Sequence, residues 1–134
     1  MADNTNLRDR GGQIPDLAAV GSRATGVCRP QDAIARLGGL PDLYADVLGR
    51  LLEDKSGSLL RLRSAVATAD ADQIHAAAHS LKGLALMCGA DSVADAAAAL
   101  EAAGRAKSLS DAGSLLLKLI AEMAAARIIL APYR

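Results

Sequence analysis

From residue 31 onward, apolar residues recur at three- and four-residue spacing, and Gly, Pro, Ser and Asp cut the runs into segments. The spacing predicts helices over about 31–37, 41–55, 56–68, 70–89, 91–104 and 108–131. Gly38-Gly39 stops the first, and Pro41 suits the first position of the second. Ser56 is placed to cap the third. Asp70, with Gln73 three residues on, resembles a capping box for the fourth, and Gly89 is its stop. Asp91 or Ser92 is expected to cap the fifth, which ends at Gly104. Ser108 with Asp111, or Ser110, opens the last, which ends before Pro132. Leu116, Leu119, Ile120, Met123 and Leu130 share one face of that helix. Leu48, Leu51, Leu52, Leu59, Leu60, Leu62 and Val66 are expected to supply the other walls. Short links between long helices imply antiparallel neighbours. The expected fold is therefore all-α: an antiparallel four-helix bundle over 31–134 with a short additional N-terminal helix. Residues 1–30 are polar, Gly-rich and without sustained periodicity, which predicts a flexible tail or linker.

The segment 70–89 departs from an ordinary amphipathic helix. With Leu81 at the centre of the buried face, Ile74, Ala77, Ala78, Leu84, Ala85 and Cys88 fall within about 60° of it. His79 falls at about 160°, Gly83 at about 200°, Leu86 at about 140°, His75 at about 120° and Lys82 at about 100°. The outward strip thus reads Ala76, His79, Gly83, Leu86 and Ala90, with almost none of the charge that a solvated face carries. A glycine inside a helix costs about 1 kcal/mol against alanine. A bare spot beside an exposed histidine makes physical sense if another protein must come close. Leu86 adds an apolar element to such a docking patch, and Lys82 places one positive charge within a turn of the imidazole.

Composition narrows the chemistry. Hydrophobic residues make up 51% of the 134, enough for a core, yet aromatics are only Tyr44 and Tyr133. A core of Ala, Leu, Ile, Val and Met suits close-packed helices. Fifteen basic residues balance fifteen acidic ones, and no basic stripe with aromatics appears, which argues against nucleic-acid binding. No apolar run approaches the ~20 residues of a membrane span, and no secretory signal pattern is present. Cys28 and Cys88 form neither a metal spacing nor a disulfide framework. Cys88 reads as a small core residue, and a reduced, cytoplasmic protein is expected.

An imidazole with the ordinary histidine pKa of about 6.5 has a free nitrogen lone pair at neutral pH. Such a nitrogen can attack phosphorus and form a phosphoramidate, which remains energy-rich and can pass the phosphoryl group on. An exposed histidine needs little help if a partner brings the electrostatic clamp.

The run His79-Ser80-Leu81-Lys82-Gly83, followed by Gly89-Ala90 and then Leu100-Glu101, resembles the histidine-phosphotransfer (HPt) domain family. Upstream, Ile34-Ala35-Arg36-Leu37-Gly38-Gly39 and Pro41-Asp42-Leu43-Tyr44 also resemble the start of that family, so the likeness covers about three quarters of the chain. The resemblance implies that His79 is the phosphoacceptor, that Lys82 helps hold the phosphate, and that Gly83 leaves room for a receiver domain. It implies a phosphocarrier without kinase activity of its own, and partners that are response-regulator receiver domains and a sensor or hybrid histidine kinase. It implies no resident cofactor, the receiver bringing Mg²⁺. Where family members often carry small polar residues just after the Gly, and Asn or a similar residue one turn later, this chain has Leu84, Ala85 and Met87.

Rival readings use the same residues. His75 and His79 stand four apart, a spacing that can chelate metal, but Ala76 follows His75 and only Asp72 lies near as a third ligand, so no metal site is expected. His75, Ala76, Gly83 and Leu86 then belong to the docking surface. A binding module that never receives phosphate, docking a receiver-like partner, would show the same outward strip. So would the phosphoacceptor domain of a chemotaxis-type or hybrid kinase.

Overall fold

The computed structural model describes residues 26–134, and the part of the expected tail that covers 1–25 lies outside them. Six α-helices follow among the described residues: α1 Pro30–Arg36, α2 Pro41–Leu52, α3 Ser58–Ala67, α4 Ala71–Met87, α5 Asp91–Ala106 and α6 Ala112–Ile129. A 3₁₀ turn, Ala131–Tyr133, closes the chain. No strand occurs among the described residues. Helices α3 to α6 form the antiparallel bundle, α1 is the short additional helix, and α2 packs over α4 and α6. Helix α4 touches α2, α3 and α5 and so sits at the hub.

Local chemistry sets the ends of α4. Asp70 is its N-cap, and the Asp70 carboxylate accepts the Gln73 N–H at 3.2 Å. Gly89 ends it at φ +68°, a conformation that costs glycine nothing. A Cβ there would also lie 2.4 Å from the Arg29 carbonyl oxygen, so the chain passes too closely for any side chain.

Three expected caps are corrected, the first at α6, where Asp111 is the N-cap without a side-chain cap bond and neither Ser108 nor Ser110 caps the helix. Ser56 does not cap α3. Gly57 is the N-cap, and the Asp54 carboxylate accepts the N–H groups of Leu59 at 2.9 Å and Leu60 at 3.0 Å. A carboxylate offers acceptors to two orphan donors at once, where a hydroxyl serves one. Ala90, not Asp91 or Ser92, is the N-cap of α5. Those two side chains serve the segment before α1 instead: Ser92 Oγ accepts the Val27 N–H at 2.7 Å, and Asp91 pairs with Arg29 Nε at 2.5 Å. With Gly26 N–H donating to Glu122 Oε1 at 2.9 Å, residues 26–29 are tied to α5 and α6 rather than belonging to a free tail.

Gly104 does not end α5 either, which runs on to Ala106. A Cβ on Gly104 would lie 2.6 Å from the His75 nitrogen and 2.7 Å from the Ala71 carbonyl oxygen. Helices α4 and α5 therefore meet backbone to backbone at this point. Buried Ala94, Ala96, Ala97, Ala77 and Ala78 let that contact continue along both helices.

Tyr44, Leu48, Leu51, Leu52, Leu62, Ile74, Leu81, Leu100, Leu119, Met123 and Leu130 fill the core. Leu60, expected in a wall, is 69% exposed, because Leu59 and Leu62 already define the inward face of α3 and Leu60 points the other way. The Tyr44 hydroxyl donates to the Cys88 carbonyl at 2.7 Å and ties α2 to the end of α4. Burial pushes the Cys88 thiol up to about 12, and burial followed by Asp91 and Glu122 raises that of Cys28. Neither is a thiolate nucleophile at neutral pH. No helix among the described residues is long and apolar enough to cross a membrane.

Gly104→Ala is expected to lower unfolding free energy by about 1–3 kcal/mol, the usual range for overpacking. Gly113→Ala, on α6 with open space at its Cβ, is expected to raise stability by up to about 1 kcal/mol. Urea titration of both variants checks the contrast.

Candidate functional site

Helix α4 presents its outward residues on the side that also faces α5. His79 is in the middle of the helix with its side chain 67% exposed. Next along the strip is Gly83, where an added Cβ would meet no atom within 4 Å. Ala76 is exposed, and Leu86 and Met87 are about half exposed at the C-terminal end of the strip. Leu40 and Leu43, also exposed, add to the apolar surface of this protein. Arg36 Nη2 donates to the Leu86 carbonyl at 2.9 Å and so holds α1 against the last turn of α4. Ala90, expected on the outward strip, is instead fully buried, because α4 ends at Met87 and the chain has already turned into α5. On the inward face Ile74, Ala77, Ala78, Leu81, Ala85 and Cys88 are buried as expected, and Leu84 is half-buried.

The site is organised by Glu101 of α5, whose side chain is only 6% exposed. Lys82 Nζ lies 2.6 Å from Glu101 Oε1 and His79 Nδ1 lies 2.7 Å from Oε2. Arg105 Nη2 stands 3.6 Å from the same Oε2. The hydrogen bond from Lys82 holds the Glu101 carboxyl below its ordinary value, against the opposing effect of burial, and the bond to His79 acts in the same direction as Lys82. Glu101 is thus ionised at neutral pH. A carboxylate can only accept, so His79 Nδ1 is the donor. In the neutral ring that fixes the tautomer: the proton is on Nδ1 and the lone pair is on Nε2. No hydrogen bond reaches Nε2 of His79 among the described residues.

His75 lies half-buried one turn back. Its Nδ1 donates to the Glu101 backbone carbonyl at 3.3 Å. The two imidazoles are nearly parallel, 20° apart, with centroids separated by 6.4 Å. His75 therefore packs between α4 and α5 beside the exposed ring. Lys82 is 29% exposed and is held by Glu101, not swinging free. Among the described residues no group of three His, Cys, Asp or Glu is arranged to hold a metal ion.

The helical pattern gives Glu101 and Arg105 no role, because it ranks the residues of one helix and is silent on contacts between two. The signal in the sequence is a carboxylate set among alanines, within the Leu100-Glu101 pair. The imidazole takes its polar support from across the helix pair. Leu84, Ala85 and Met87 of its own helix offer none.

A family model described as the Hpt domain matches residues 46–128. The crystal structure of histidine-containing phosphotransfer protein B from Pseudomonas aeruginosa PAO1 superposes with a TM-score of 0.70. The two sequences are 26% identical, and the match covers 78% of this chain and 91% of the other. Among curated protein sequences no relative matches.

The depressed Glu101 pKa has a pH signature. Its folded value is below the ordinary 4.5, so its contribution to stability is present above that pH and is lost as pH falls through the folded value. The stability difference between wild type and Glu101→Gln is expected to hold from about pH 7 to pH 5 and to shrink below about pH 4.5. Chemical denaturation at a series of pH values checks this.

Proposed function

The chain belongs to the Hpt domain family and is a phosphotransfer intermediate of two-component signalling; from that premise we propose that His79 accepts a phosphoryl group on Nε2 from a receiver aspartate and donates it to another. The observation that carries the proposal is the Glu101–His79 hydrogen bond, which in the neutral ring leaves the lone pair on Nε2 of an exposed side chain. In the forward step the Nε2 lone pair attacks phosphorus, the N–P bond forms, and the P–O bond to the aspartate breaks with its electron pair leaving on the carboxylate. Nδ1 keeps its proton, so the ring becomes cationic as the bond forms. The Glu101 carboxylate at 2.7 Å faces that developing charge, as the aspartate of a catalytic triad faces an imidazolium. Lys82, 2.6 Å from the other carboxylate oxygen, is near enough to offer its ammonium to phosphoryl oxygens as they arrive. The reverse sequence returns the phosphoryl group to a second aspartate.

The surface around the ring fits a partner that must come within bonding distance. Gly83 leaves the helix bare next to His79 in the direction of Leu86, and the exposed Leu86 and Met87 can be covered on docking. Domains of this family exchange phosphate with receiver domains and kinases. A response-regulator receiver is the partner proposed here, with a sensor or hybrid histidine kinase at the head of the relay. In the proposal Mg²⁺ comes with the receiver, and the chain acts as a phosphocarrier with no kinase activity of its own. A cytoplasmic location follows from such partners.

Incubation with a phosphorylated receiver is expected to place an acid-labile, alkali-stable label on His79. His79→Gln is expected to take none, and a labelled variant would contradict the assignment. Gly83→Glu is expected to slow transfer at least tenfold by obstruction while circular dichroism and melting stay close to wild type, since its Cβ meets open space. Transfer at the wild-type rate would remove the docking argument.

A further inference from the structure

The phosphoacceptor reading leaves the second histidine unused, yet the site is built around both rings. One residue, Glu101, fixes the two together: its carboxylate takes the Nδ1 proton of His79 and its backbone carbonyl takes that of His75. Both Nδ1 atoms therefore turn toward α5, and both Nε2 atoms lie on the far edges of rings stacked 6.4 Å apart. A phosphoryl group on Nε2 of His79 would stand beside Nε2 of His75. In its neutral form that nitrogen is a lone pair facing phosphoryl oxygens. With a proton it becomes a cationic donor facing them.

We propose that His75 is a positioning residue for the phosphorylated state, taking up a proton from solvent at Nε2 when His79 is phosphorylated and balancing the added negative charge. The proposal rests on the phosphoacceptor reading of His79. The charged groups around His75 are Asp72 on its own helix, Glu101 and Arg105 on α5, and Lys107 at the C-cap of α5, where Nζ holds Asp72 at 3.1 Å. Helix α3 packs on the other flank of α4, where Arg61 shares a groove with Asp70 and Gln73. Glu101 is already shared by His79, Lys82 and Arg105, and Asp72 is already paired with Lys107. Phosphorylation thus changes two charges near His75: the phosphoryl group brings up to about two negative charges on the Nε2 side, and the His79 ring gains a positive charge that Glu101 faces, a net gain of roughly one negative charge. By linkage, the phosphorylated form binds more protons than the unphosphorylated form. Phosphorylation of His79 then becomes more favourable as pH falls through the titration of His75.

The size of the effect follows from Coulomb's law. A net of about one negative charge at about the 6.4 Å ring spacing, in a water-like dielectric, raises a neighbouring pKa by roughly 0.5 unit.

The test is a site-resolved NMR titration of the ¹⁵N-labelled protein, with and without phosphorylation by phosphoramidate. The His75 midpoint is expected to move up by roughly 0.5 unit on phosphorylation. An unmoved midpoint, with His79 shown to carry phosphate, would overturn the inference and leave the phosphoacceptor reading standing. Failure of His79 to take phosphate would remove both. A second measurement compares equilibrium phosphorylation from a receiver in wild type and His75→Gln. The ratio of the two constants is expected to rise roughly threefold from about pH 8 to pH 5.5. A ratio that stays flat with pH would mean that His75 only fills space, which also overturns it.

Discussion

The site depends on one buried carboxylate being shared between two helices. Glu101 accepts from His79 and Lys82 of α4, and each partner does a different job. Lys82 keeps the carboxylate ionised despite its burial, which repays the cost of removing a charge from water. His79 Nδ1 meets the carboxylate, and in the proposed mechanism this holds a proton there and leaves Nε2 as the nucleophile. Without the ion pair a buried glutamate would tend to protonate, and the imidazole would lose its fixed tautomer.

This sharing is possible only because α4 and α5 come unusually close. Gly104 meets the backbone of Ala71 and His75 with no room for a Cβ, and a run of buried alanines extends the contact. The same contact places the Glu101 carbonyl within reach of His75. The rest of the bundle supports this pair. Asp70 starts α4 at a defined residue, Gly89 ends it, and Tyr44, Arg36 and Arg29 bind the carbonyls left open at its C-terminal end. A rigid α4 gives the exposed ring a fixed direction, and in the proposed reading the open space at Gly83 is where a partner approaches.

Much of this was legible in the chain. The apolar period of α4 put Leu81 inside and His79 outside, because a helix surface maps directly onto residue number. Asp70 and Gly89 were legible because caps and stops use nearby backbone groups. Residues that act at long range were not. Asp91 and Ser92 look like caps and instead hold Arg29 and Val27, more than sixty positions earlier. Gly104 looks like a stop and is a contact point between helices. Ala90 follows the strip of α4 by arithmetic, yet the helix has ended before it. Glu101 stood in plain view as part of a family-like pair, but its role exists only once two helices are laid side by side.

The account turns on which imidazole nitrogen bears the phosphorus. Phosphorus–nitrogen coupling in the ¹⁵N-labelled, phosphorylated protein measures this directly. Coupling to Nε2 of His79, with Nδ1 still protonated, is the predicted result. Coupling to Nδ1, or to any nitrogen of another residue, would contradict the role assigned to Glu101 and the mechanism built on it.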